Sequence, residues 1–146
     1  MYVTVVHDKY LFAAHYAQGL TELMEIGEGG KLKHLQAHDS GRETHCVVMS
    51  PDKRFAFVPS KGDDKITIFA FDKDAATFSP QGLAKLPQGS GCRHFVFHPN
   101  GQHAYLINEY SNTVVVYAYD AENGVLTETQ TISTNPDGIN APPVDG

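Results

Sequence analysis

The sequence has little of what several protein classes require. Its 146 residues include two cysteines and no tryptophan, and 11 basic residues stand against 17 acidic ones. The basic residues are scattered singly along a chain of net charge −6, which argues against a nucleic-acid surface. No apolar run approaches the roughly 18 residues of a membrane span. We therefore expect neither nucleic acid nor a membrane as a partner.

Targeting and cofactor signals are also scarce. The start of the chain, residues 1–4, lacks the basic stretch and long apolar core of a secretory signal peptide, which predicts a cytoplasmic protein. In that compartment Cys46 and Cys92 are expected to be reduced thiols, buried as small hydrophobes beside innermost strands. The sequence contains no glycine-rich phosphate loop, serine nucleophile elbow or dinucleotide fingerprint, so no cofactor is expected.

The chain does contain an internal repeat. Residues 45–80 superimpose on residues 93–128, an offset of 48 positions. The offset aligns five pairs of identical residues: Val48 with Val96, Pro51 with Pro99, Ala56 with Ala104, Ala70 with Ala118 and Asp72 with Asp120. A repeat of this length made of short β segments is typical of propeller blades.

Each copy predicts four strands joined by turns. In the later copy, β-branched and aromatic segments separated by turn residues predict strands over 94–98, 103–108, 113–119 and 126–132. In the earlier copy the corresponding strands are 46–49, 55–58, 66–71 and 78–86. A weaker third copy opens the chain, with strands over 3–6, 10–13 and 20–26. Four strands joined by tight turns make an antiparallel meander, the blade of a propeller.

The sequence thus predicts an all-β fold, a β-propeller segment of about three four-stranded antiparallel blades. The blades cover about residues 1–42, 43–90 and 91–133, and residues 134–146 form a Pro/Gly-rich tail or connecting arm. Three blades do not close a ring, because propellers have about four to eight. We expect the chain to be part of a longer protein or to close a ring by self-association, with a dimer favoured.

Equivalent positions of the repeat hold different ionisable residues. His45 and Arg93 precede the innermost strands of their blades, whereas Lys61 and Glu109 follow the second strands. In a meander these connections share one face near the propeller axis. A purely structural requirement would keep the same residue type at equivalent positions of the blades, whereas a binding site built from successive blades needs different residue types. The alternative is that all four are solvated loop charges.

Two stretches around these residues resemble a known family. They are GSGCRHFVFHPNG at 89–101 with AYLINE at 104–109, and HCVVMSPD at 45–52 with FAFVP at 55–59. Over about residues 9–135 the chain resembles the lactonase-type seven-bladed propellers, which include bacterial 6-phosphogluconolactonases and fungal carboxymuconate cyclases. The resemblance implies active-site roles for His45, Arg93 and Glu109, and a further arginine from a later blade. The site would therefore be completed by another copy.

The resemblance implies a lactone-hydrolysing enzyme. Lactone opening needs a base for the attacking water, here Glu109 or neutral His45, and a fixed donor for the developing oxyanion, here Arg93. The expected substrate is a small-molecule lactone or an anionic sugar acid. The expected substrate-binding residues are Lys61, Asn108, His94 and Tyr16. Two alternatives remain: a muconate-lactonising cyclase, and a catalytically silent half-propeller acting as a scaffold or binding module.

The histidine spacings do not predict a metal site. His94 and His98 are four residues apart, but on a strand this spacing spans roughly 13 Å, too far for one ion. His34 and His38 have the same spacing in a segment predicted to be a blade connection, where the same objection applies.

Overall fold

The computed structural model describes residues 2–136 and shows an all-β protein made of three four-stranded antiparallel sheets. The predicted fold class, a partial propeller, is confirmed. No helix among the described residues is long and apolar enough to cross a membrane. Most of the predicted tail, residues 137–146, lies outside the described residues.

The strands pair in chain order within each sheet. Sheet one contains β1 (Tyr2–Val6), β2 (Tyr10–His15), β3 (Leu20–Ile26) and β4 (Leu32–Asp39). Sheet two contains β5 (Val48–Met49), β6 (Phe55–Ser60), β7 (Lys65–Asp72) and β8 (Thr77–Lys85). Sheet three contains β9 (Cys92–Phe97), β10 (His103–Asn108), β11 (Thr113–Asp120) and β12 (Val125–Ser133). Short 3-10 turns occupy Glu28–Gly30 and Lys61–Asp63.

The strand predicted over 46–49 is shorter than expected. Only Val48 and Met49 pair with β6 as a strand, whereas Thr44 forms an isolated bridge with Ser60. Between them the backbone N–H of His45 donates to the carbonyl of Pro59 at 2.9 Å. The segment before β5 therefore follows β6 without forming a regular ladder.

The prediction that His34 and His38 lie in a blade connection is wrong, because both belong to β4. This strand is mostly exposed and lacks the apolar alternation that marks the other strands. Its register shifts beside Leu35: Met24 pairs with His34 and Leu23 pairs with Gln36. The extra residue turns the following side chains to the opposite face. His34 accordingly meets Glu22 on one face, whereas His38 meets the carbonyl of Phe78 on the other.

Two apolar layers hold the three sheets together. The layer between sheets one and two contains the fully buried Phe12, Phe69 and Leu23, and that between sheets two and three contains Phe57 and Leu106. Sheet two is thus covered on both faces. Burying a side chain of this size stabilises a fold by roughly 1.5–3 kcal/mol.

The outer faces of sheets one and three carry exposed apolar side chains. Val3 and Val5 are 59% and 55% exposed on β1, and Val96 is 57% exposed on β9. Ile107 and Ile132 on sheet three are exposed as well. Because strand side chains alternate between faces, these residues point away from the layers that hold Phe12, Phe95 and Leu106.

The repeat is reproduced in the backbone hydrogen bonds. The N–H of Lys61 donates to the carbonyl of Glu43 at 3.1 Å, and 48 residues later the N–H of Glu109 donates to the carbonyl of Gly91 at 2.8 Å. The connections that carry Lys61 and Glu109 are therefore equivalent in space as well as in sequence.

Candidate functional site

Four ionisable side chains from sheets two and three meet in one cluster. The Nε–H of Arg93 donates to Nε2 of His45 at 3.1 Å and lies 3.0 Å from Oε2 of Glu109. The Nζ of Lys61 lies 3.1 Å from the same carboxylate oxygen. The structure thus brings together His45, Arg93 and Glu109, the three residues predicted to be catalytic, with Lys61. Their catalytic roles stay a prediction.

Strand ends position these side chains. Arg93 is the second residue of β9, and His45 lies just before the equivalent strand β5. Glu109 follows β10 directly, and Lys61 begins the 3-10 turn after β6. Each member of the cluster is therefore held next to a paired strand, which limits its movement.

The connection before β9 is clamped by a carboxylate. The N–H groups of Gly89 and Gly91 donate to the two oxygens of Asp64, each at 2.7 Å. Gly91 has a φ of +66°, and a Cβ there would lie 2.5 Å from the ring of Tyr110. Asp63 acts in the same way on another connection, because its carboxylate accepts the N–H of Arg42 at 2.9 Å.

His45 is neutral at ordinary pH. Burial, together with the nearby His94 and Arg93, lowers the pKa of its imidazole to about 4. Its Nε2 accepts the Arg93 hydrogen bond, whereas its Nδ1 is buried without a partner among the described residues. A neutral imidazole can accept a proton.

Glu109 and Lys61 are both charged. Burial raises the pKa of the Glu109 carboxyl, but the hydrogen bond and charge of Lys61, with Arg93, outweigh it and lower the pKa. Burial lowers the pKa of Lys61, but Tyr110 and Glu109 outweigh it and raise the pKa. The ammonium of Lys61 also lies 4.3 Å from the centre of the Tyr110 ring, a cation–π distance.

Two of the other predicted substrate-binding residues lie beside the cluster. The exposed ring of His94 meets the ring of His45 edge-on at 4.7 Å, and the ring of Tyr16 does so at 6.2 Å. Asn108 does not join them: it is 2% exposed, and its amide donates to Oγ1 of Thr113 at 3.0 Å. Asn108 instead lines a separate cavity of about 180 Å³.

The sequence-based prediction missed Glu43 and Tyr110. Both line an open cavity of about 770 Å³ that reaches the cluster at Lys61. The repeat carried a signal for them, because Glu43 falls on Gly91 and Gly62 falls on Tyr110. At the first of these positions the earlier copy has the large residue and the later copy has glycine, and at the second position the reverse is true. Glu43 also raises the pKa of Tyr16, an effect second to burial of the phenol.

One group of side chains has the composition of a metal site. Each of His45, Cys46 and His94 offers one ligand atom, and these atoms lie within 4.8 Å of one another. Both cysteines are free and buried, as expected.

Comparison with known proteins identifies the family. The family model "Lactonase, 7-bladed beta-propeller" matches residues 1–143. A 6-phosphogluconolactonase of Klebsiella pneumoniae is 31% identical over 132 residues, which cover 89% of this chain and 40% of that protein.

Solved structures agree with this match. A protein from Lactobacillus plantarum superimposes with a TM-score of 0.87 at 29% identity, covering 94% of this chain and 43% of that one. A periplasmic gluconolactonase of Pseudomonas aeruginosa superimposes with a TM-score of 0.83 at 32% identity, with the same coverage of 94% and 43%. The chain therefore spans less than half the length of these relatives. It belongs to the seven-bladed lactonase β-propeller family.

Proposed function

We propose that this chain carries a lactone-hydrolysing site of the 6-phosphogluconolactonase type, on one face near the propeller axis. The observation that supports it most is the position of Arg93. Its Nε lies 3.1 Å from neutral His45 and 3.0 Å from ionised Glu109, so a base, a fixed cation and an anion from two blades adjoin.

The cluster suits the hydrolysis of a cyclic ester. Water attacks the lactone carbonyl, and its proton passes to Nε2 of His45 as the N–H of Arg93 turns from that nitrogen to the developing oxyanion, which the guanidinium stabilises. The bond between the carbonyl carbon and the ring oxygen then breaks. The ring oxygen takes the proton from His45, giving the open hydroxy acid. His45 suits the role of base better than Glu109, whose carboxylate faces two cations.

The remaining residues hold the cations and the substrate. Glu109 is a positioning residue, because one of its two carboxylate oxygens, Oε2, lies close to both Arg93 and Lys61. Lys61, whose side chain is 11% exposed, can contact a phosphate or carboxylate of the substrate, beside Tyr16 and His94. A relative named 6-phosphogluconolactonase and another named gluconolactonase support a sugar-acid lactone as substrate.

The charge states favour hydrolysis over muconate cyclisation. A cyclase must deliver a proton to carbon, which calls for a protonated acid of moderate strength. In this cluster His45 is neutral and Glu109 is ionised. Neither group is therefore a protonated acid of moderate strength at neutral pH.

We also propose that a second copy completes the site and closes the ring. The exposed valines of β1 and the exposed Val96, Ile107 and Ile132 of sheet three support this, because apolar faces of this kind mark interaction surfaces. Two copies of three sheets give a symmetric ring of six blades.

One experiment tests both proposals. Hydrolysis of 6-phosphogluconolactone and of an uncharged δ-lactone is followed beside protein-free controls, with the particle mass measured by sedimentation at the assay concentration. We expect turnover, faster for the phosphorylated lactone, in a particle of twice the chain mass. A folded, inactive monomer would contradict both proposals and would favour the alternative of a scaffold or binding module.

The cytoplasmic location stays a prediction, since one structural neighbour is periplasmic.

A further inference from the structure

We propose that His45, Cys46 and His94 bind one thiophilic divalent ion of the Zn²⁺ class. Their ligand atoms lie within 4.8 Å of one another. Two imidazole nitrogens and a thiolate are ligands that Zn²⁺ prefers, and three protein ligands leave one position for water or another molecule. The repeat alone does not reveal this site, because the ligands come from two blades: His45 and Cys46 precede β5, and His94 lies on β9.

The three side chains are available to an ion. Nδ1 of His45 is buried and has no hydrogen-bond partner among the described residues. The thiol of Cys46 donates only a long hydrogen bond, to the carbonyl of Arg93 at 3.4 Å, among the described residues. His94 is exposed and borders the site, so an ion can enter from solvent along its ring.

Ion binding at this site must displace a proton. The Cys46 thiol donates a hydrogen bond to the carbonyl of Arg93, so the free protein holds it protonated. A bound ion stabilises the thiolate, and one proton leaves for each ion bound. The positive charges of Arg93 and Lys61 weaken the binding of a metal ion here, whereas the Glu109 carboxylate offsets part of their charge.

The ion would turn off the proposed lactonase site, and this consequence rests on the proposed function. If the ion binds Nδ1 of His45, the remaining imidazole proton must lie on Nε2. That nitrogen then cannot accept the N–H of Arg93, with which it is paired at 3.1 Å. It also can no longer take a proton from water. Ion binding and the active arrangement therefore exclude one another.

A cobalt titration tests the site without relying on activity. Co²⁺ is added to the metal-stripped full chain, and thiolate-to-cobalt charge-transfer absorption is recorded. We expect the band to saturate at one equivalent, to vanish in Cys46→Ser and to persist in Cys92→Ser. Cys92 is the matched control because it is equally buried but donates to the carbonyls of Ser60 and Lys65.

His94→Gln provides a second variant, since an exposed side chain can be changed without disturbing the core. It should weaken Co²⁺ binding at least about tenfold. Zn²⁺ should inhibit lactone hydrolysis by the wild type but not by Cys46→Ser. A wild-type protein without the band, or a band that survives Cys46→Ser, would overturn the metal site. A normal band in a protein without lactonase activity would uphold the metal site and refute the proposed function.

Discussion

Arg93 lies at the contact between two blades, with His45 on one side and Glu109 on the other. The same guanidinium helps to keep the carboxylate of Glu109 ionised and the imidazole of His45 neutral. Lys61 completes this arrangement from the connection equivalent to that of Glu109. At the scale of residues, the site depends on four different groups holding one another in defined charge states.

The neutral state of His45 predicts how stability depends on pH. Its pKa is about 4 in the folded protein, below the ordinary value of 6.5, so the unfolded chain binds more protons between these values. The stability that comes from keeping His45 neutral is fully present above about pH 6.5 and is lost as the pH falls towards 4. Urea unfolding at pH 7 and pH 4.5 should show a smaller acid loss in His45→Gln than in the wild type.

His98→Gln, which changes an exposed histidine outside the cluster, is the control for this measurement. It should lose stability with acid as the wild type does. If the wild type and His45→Gln lost equal unfolding free energy between pH 7 and pH 4.5, burial of His45 would not change how many protons the folded and unfolded states bind.

The repeat indicates some residues of the site and not others. His45, Arg93, Lys61 and Glu109 differ at equivalent positions, and the structure places them together. Asn108 was predicted on a resemblance alone, but its amide faces Thr113 inside a different cavity. The contact of His94 with Cys46 and His45 depends on how sheet three packs on sheet two, which a comparison of copies does not describe.

At the scale of elements, the connection before β9 holds the cluster in place. Asp64 accepts hydrogen bonds from Gly89 and Gly91, and the carbonyl of Gly91 accepts the N–H of Glu109. A shift of this connection would therefore move both Arg93 and Glu109.

Two glycine variants separate backbone strain from crowding in this connection. Gly89 and Gly91 both have positive φ, but a Cβ at Gly89 meets nothing within 4 Å. Gly89→Ala should lower the free energy of unfolding by about 1–2 kcal/mol. Gly91→Ala should lower it by about 1–3 kcal/mol more, because its Cβ would meet Tyr110 at 2.5 Å.

Urea unfolding of the two variants measures this difference, and lactone hydrolysis should fall only in Gly91→Ala. Equal stabilities would mean that the ring of Tyr110 moves aside easily, and the connection would then not hold Glu109 as described.

Strands with strong apolar alternation could be predicted from the sequence, as β10 and β11 show. The strand β4 could not, because its exposed position leaves it few apolar residues and the extra Leu35 breaks its period. The shortening of β5 follows from the approach of Thr44 and His45 to the end of β6, a contact between connections rather than a property of the segment.

In the part of the molecule that the structure describes, three sheets share two apolar layers and leave two apolar outer faces. The fold class could be predicted because the repeat defines a blade. What covers the outer faces could not, because the residues of one copy do not identify their partner. The family model describes seven blades, whereas the proposed pairing of two copies gives six. The particle mass therefore decides the architecture independently of activity.

The most direct test of the proposed lactonase site is the turnover of 6-phosphogluconolactone by the wild type and by Arg93→Ala. Arg54→Ala is the matched control, because Arg54 is an exposed arginine paired with Asp52 at 2.7 Å outside the cluster. We predict a loss of about 10²- to 10³-fold in kcat for Arg93→Ala, with an unchanged fold and with wild-type turnover for Arg54→Ala. Near wild-type turnover by Arg93→Ala would contradict a lactonase site built around this arginine.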